Sequence, residues 1–72
     1  MMTVLVFKTS VKRKGEVKQL RPTLNKLVDN YGSWNFDLED CDNILRVETQ
    51  GLEAPTITSL LQNNGYQCEE LE

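Results

Sequence analysis

Apolar residues in this 72-residue chain follow two different spacings, and the order in which those spacings alternate constrains the fold more than any other feature. Thr3 to Thr9 is rich in β-branched and apolar residues, as a strand requires. From Gly15 to Asp29, Val17, Leu20, Leu24, Leu27 and Val28 recur every three or four residues, which predicts a helix with one buried face. Pro22 falls inside that stretch, removes a backbone donor and predicts a kink. A helix starting only at Pro22 is the competing reading, but it leaves Val17 and Leu20 without a role.

After Tyr31 and Gly32, the run from Trp34 to Leu38 alternates with a strand period. Leu45 to Thr49 does the same beyond a polar turn, Glu39 to Asn43, so the two form a hairpin. Gly51 ends the hairpin. Pro55 then sits near the first turn of a second helix carrying Ile57, Leu60 and Leu61 on one face. Asn64 and Gly65 stop that helix, with Gly65 free to turn left-handed, and Tyr66 to Leu71 supplies a last short strand. The order is βαββαβ. It predicts one α+β domain over residues 1–72, a ferredoxin-like sandwich of a four-stranded antiparallel sheet with two helices on one face.

Strand parity assigns the faces. Leu5, Phe7, Trp34, Phe36, Leu38, Leu45, Val47, Tyr66 and Cys68 should meet the helices. Val4, Val6 and Ile44 should look onto the uncovered face, as scattered apolar surface or as a docking patch. A domain of this size buries only about 60% of its unfolded surface. The two cysteines, Cys41 and Cys68, form no Cys-x-x-Cys, and the apolar N-terminus reaches Lys8 too soon for a signal peptide or a membrane span. Free thiols in a reducing cytoplasm are the expectation.

The net charge of −3 hides a split. Residues Lys8 to Lys26 carry seven cations against Glu16 alone, and everything from Leu27 onward carries Arg46 against ten acids. Solvated faces of different sign explain this. So does a basic edge that docks an acidic partner, or weak head-to-tail association between copies.

The basic stretch is sharpest between the first strand and the first helix, at Lys12, Arg13 and Lys14, followed by Glu16. Backbone donors and the positive end of a helix meet there. Around this loop stand Phe7 to Val11 leading in, Gly15 and Val17 opening the helix, Trp34 to Asp37 after a glycine turn, Leu45 to Val47, and the closing Gly65 and Tyr66. In that order and spacing the chain, from Thr3 to about Leu71, resembles the heavy-metal-associated domain of small copper chaperones and metal-pumping ATPases.

The resemblance implies a metal loop of the form Met-x-Cys-x-x-Cys, whose thiolates hold a soft Cu(I) or Zn(II) ion. Aligned on it, Val11 takes the methionine position, Arg13 the first cysteine and Glu16 the second, so both metal ligands are replaced and no cofactor is expected. A side-chain pair between Arg13 and Glu16, three residues apart, would be worth roughly 0.2–0.5 kcal/mol. Tyr66 matches the aromatic or basic residue that the family places beside the loop, although a core tyrosine explains it as well. The expectation is a non-enzymatic, metal-free interaction domain with a protein partner, using Lys12, Arg13, Lys14, Glu16 and Tyr66. The alternatives are a copper or zinc carrier with unusual ligands, such as Cys68 with Met1 or Met2, and a regulatory module that binds a small anion at the basic loop.

Other constellations fail. Asp37, Glu39, Asp40 and Asp42 cluster in the hairpin turn without the glycine and distant glutamate of a calcium loop. No histidine is present for acid–base or triad chemistry, which leaves no catalytic residue to name. Nucleic acid is not the expected partner, because Val4, Val6 and Ile44 cannot replace the paired sheet aromatics of RNA-binding modules.

Overall fold

The computed structural model describes residues 2–39 and 41–71. Its elements run β1 (Thr3–Thr9), α1 (Lys14–Val28), β2 (Gly32–Asp37), β3 (Ile44–Thr49), α2 (Ala54–Asn63) and β4 (Cys68–Glu70). The strands form one antiparallel sheet in the order β2-β3-β1-β4. Each helix therefore joins two strands separated by a third, and the α+β fold is ferredoxin-like. Among the described residues, no helix is long and apolar enough to cross a membrane.

Helix α1 runs through Pro22 rather than starting at it. An internal proline costs about 3 kcal/mol. Against that, Leu20, Leu24 and Val28 are buried, and Val17 and Leu27 pack on the same core. Each fully buried side chain of this kind contributes roughly 1.5–3 kcal/mol, so packing outweighs the missing donor.

Helix α2 ends in a Schellman motif. The Gly65 N–H donates to the Gln62 carbonyl at 3.0 Å and the Tyr66 N–H donates to the Leu61 carbonyl at 3.0 Å. Gly65 supplies the left-handed residue, at φ +88°. Because the Tyr66 donor is spent on the helix, the last strand cannot begin there. It is confined to Cys68–Glu70, shorter than the Tyr66 to Leu71 expected from the sequence.

The core joins Phe7, Leu45, Val47 and Cys68 of the sheet to Leu20, Leu24, Val28, Ile57 and Leu61 of the helices, with Val11 from the loop. Leu5, Trp34, Phe36 and Leu38 are half-buried against it, on the face that strand parity assigns, and Tyr66 packs there from the turn after α2. The open face departs from expectation at Ile44, which is only 5% exposed while Val4 is 55% exposed. Ile44 stands between Lys8 and Asp37 across the ladder. Both are held in ion pairs, Lys8 to Asp42 and Arg46 to Asp37, each at 3.7 Å. Long charged side chains lying over the sheet cover apolar atoms between them. At 5% exposure Ile44 adds little to any docking patch.

Candidate functional site

The loop between β1 and α1 is pinned from three sides. The Thr9 hydroxyl donates to the Asn43 carbonyl at 2.7 Å and accepts from the Val11 N–H at 3.2 Å. Ser10 is tied to the strand entry on the far side, its N–H donating to the Gln67 carbonyl at 3.1 Å and its hydroxyl accepting the Gln67 N–H at 2.8 Å. Val11 points inward and is fully buried. The next three side chains, Lys12, Arg13 and Lys14, are all exposed.

Arg13 is the N-cap of α1, with extended backbone at φ −123° and ψ 147°. Glu16 is three residues further on, and its Oε1 accepts from the Lys12 N–H at 3.0 Å and the Arg13 N–H at 3.1 Å. This is the glutamate half of a capping box, and it places a negative charge at the positive end of the helix. The expected pairing of Arg13 with Glu16 is thus replaced by a different contact, in which the carboxylate binds backbone rather than guanidinium. Two amide donors at fixed distance outcompete a long, mobile side chain in solvent. Among the described residues, Lys12, Arg13 and Lys14 take part in no ion pair.

Tyr66 is half-buried against the core and is the residue that closes the Schellman motif of α2. Its neighbour Gln67 is bonded to Ser10, so the loop and Tyr66 do share one end of the molecule. Cys68 lies there too, opposite Thr9 in the ladder, and is 7% exposed. Met2 precedes the other end of β1, about 23 Å away along the strand. Cys68 and Met2 cannot share an ion, and Met1 lies outside the described residues. Among those residues, no cluster of three or more Cys, Asp or Glu is placed to hold a metal.

Burial pushes the Cys68 thiol from 9.0 up to about 11. Above about pH 9 the unfolded chain loses a proton that the folded chain keeps. The contribution of Cys68 to stability should therefore be flat below that pH and fall through the window from about 9 to 11, by roughly 2–3 kcal/mol. Urea midpoints across this range should drop more steeply for the wild type than for Cys68→Ala. At pH 8 an aromatic disulfide reagent should react with the exposed Cys41 in the native protein and with Cys68 only after unfolding. Equal rates at the two thiols would contradict the burial.

A second feature is invisible to motif reading. One stripe of α1, running Lys14, Val17, Arg21 and Asn25 to the C-cap Asp29, faces β2 across a groove of about 830 Å³. The Trp34 Nε1–H donates to the Asn25 Oδ1 at 2.9 Å, and the Trp34 and Phe36 rings meet edge to face at 5.9 Å. The signal available in the sequence was the pairing of two aromatics at alternate positions of a strand with cations at helical spacing. Taken alone, the aromatics indicate core and the cations indicate surface charge. No family model, curated protein or solved structure matches this chain, so what it does is argued from these residues alone.

Proposed function

We propose that this chain is a non-enzymatic protein-interaction domain, similar to a heavy-metal-associated metallochaperone whose two metal ligands have been replaced by Arg13 and Glu16. One observation carries the reading. The Glu16 carboxylate, at a position that family fills with cysteine, closes the loop on the Lys12 and Arg13 amides and leaves three cations facing solvent. A hard oxygen donor already engaged by backbone is a poor ligand for Cu(I) or Zn(II). The same contact argues against a small anion at the loop, because the Lys12 and Arg13 amides already serve the Glu16 carboxylate and its negative charge would repel the ligand. Exposed lysines and arginines over a rigid base suit an acidic protein surface, where charge steers encounter and fixes register.

The test is recovery from native lysate by the wild type and by a variant with Lys12, Arg13 and Lys14 all changed to Ser. The partner should be captured by the wild type, lost with the variant, and weakened by salt, since exposed charges are screened within about 8 Å at physiological ionic strength. The variant should keep its stability to within about 0.5 kcal/mol. Equal recovery by both proteins would overturn the loop as the interface. A loss of several kcal/mol would mean that these cations serve the fold instead.

A further inference from the structure

The two edges of the sheet are built differently. β4 has three residues and carries Glu69 and Glu70, and both shortness and charge discourage pairing with another strand. β2 has six residues, Gly32 to Asp37, without proline or lysine, and its register with β3 is uninterrupted by a bulge. Natural proteins usually blunt such an edge.

Its free backbone groups can be named. The Gln50 N–H donates to the Tyr31 carbonyl at 2.7 Å, in line with the register that pairs Gly32 with Thr49. Bonded and non-bonded pairs alternate along an antiparallel ladder. Gly32, Trp34 and Phe36 consequently turn their N–H and C=O groups away from β3.

Beside this edge lies the groove shared with α1. Trp34, Phe36 and Leu38 form a half-buried apolar floor, and Val17, Arg21 and Lys14 stand over it. Arg46, which also lines the groove, is paired with Asp37. Among the described residues, Arg21 and Lys14 have neither an ion pair nor a hydrogen-bonded side chain.

We propose that β2 accepts an extended acidic peptide as an added strand. The peptide backbone pairs with Gly32, Trp34 and Phe36, an apolar side chain covers the two aromatic rings, and carboxylates meet Arg21 and Lys14. Main-chain bonds supply affinity in this mode and alternate side chains supply specificity. Asp29 at one end of the groove and Glu39 at the other bound the stretch where acidic residues are favourable. A second copy is the worse occupant. Pairing β2 with itself about a twofold axis would set two α1 helices side by side, each carrying Lys14, Lys18, Arg21 and Lys26 against Glu16 alone. The surface lies apart from the exposed side chains of Lys12 and Arg13, and shares with the proposed function a protein partner and Lys14, which stands where the loop meets the groove.

The probe is the peptide Thr-Val-Thr-Glu-Thr-Val-Thr-Glu, which as a strand alternates Val and Glu on one face and shows only Thr on the other. It is titrated to millimolar concentration into the isotope-labelled domain and followed by NMR. The expected result is saturable shifts centred on Gly32, Trp34 and Phe36, with amide exchange at those residues slowed about tenfold or more. The exposed substitution Arg21→Glu should weaken binding by about tenfold, and so should replacing both Glu of the peptide by Lys. The double change Lys12→Ser and Arg13→Ser should leave it unchanged, which separates this surface from the loop. No saturable shift at the three amides, or equal binding of the Lys peptide by the wild type, overturns the proposal. Protection of the same amides at high protein concentration without peptide also overturns it, in favour of a second copy.

Discussion

Replacing Gly32 by Ala is expected to lower the stability of the domain by about 3–5 kcal/mol, a loss at the far end of what single substitutions cause. A Cβ at this position would overlap the Glu48 carbonyl oxygen and come within 2.8 Å of the Glu48 carbonyl carbon and 2.9 Å of the Thr49 Cα. All three atoms are backbone of β3, so no side chain can swing aside. The start of β2 must separate from β3, which sacrifices ladder bonds worth about 1 kcal/mol each and disturbs the register that places Trp34 opposite Val47. Urea unfolding should show a lower midpoint with an unchanged slope. Gly15→Ala is the control: a Cβ there meets nothing within 4 Å, and the helix should gain up to about 1 kcal/mol. A Gly32→Ala protein as stable as the wild type would mean that β2 and β3 do not meet as described.

The double change Arg13→Cys and Glu16→Cys should convert a loop without metal ligands into a Cu(I) site. Residue 13 is the N-cap of α1, and the side chain at position 16 already folds back to within 3.1 Å of the residue 13 nitrogen. Two sulfurs in these places would face each other at the helix N-terminus, where thiolates form more readily, and Cu(I) prefers such soft ligands. Lys12 and Lys14 would then flank a negative dithiolate centre instead of repelling a bare cation. Losing the Glu16 cap should cost about 1 kcal/mol, which the bound metal offsets. After dialysis against a competing chelator, the variant should retain about one equivalent of copper per chain, and the wild type none. A folded variant that ignores Cu(I) would show that the loop does not align with the metallochaperone motif.

How far the sequence could be read depended on the range of the forces involved. Helix periodicity and strand parity are local, and they placed Val17 to Val28, Trp34 to Asp37 and Ile57 to Leu61 on their proper faces. Capping is local too, yet in sequence an Arg and a Glu three residues apart suggest each other before they suggest the backbone between them, so Glu16 reads as a partner for Arg13 ahead of a cap. Tyr66 reads as strand because its role as the residue after a helix-ending glycine consumes an N–H that composition does not reveal. Ile44 reads as open-face surface, and its burial is not legible because its neighbours across the ladder, Lys8 and Asp37, come from different parts of the chain. The groove between α1 and β2 leaves only an indirect trace in the sequence, aromatics at alternate strand positions and cations at helical spacing that nothing local joins. It exists only once the helix stripe containing Arg21 has been laid beside Trp34 and Phe36.

Val11 gives the loop an evolutionary property that its charges do not. The buried valine and the Thr9 and Ser10 contacts hold the loop in place from below, while positions 12 to 14 project outward and carry little of the fold. Substitutions at those outward positions can accumulate singly without passing through an unfolded protein. The charge presented at positions 12 to 14 can therefore change while the fold beneath it stays intact.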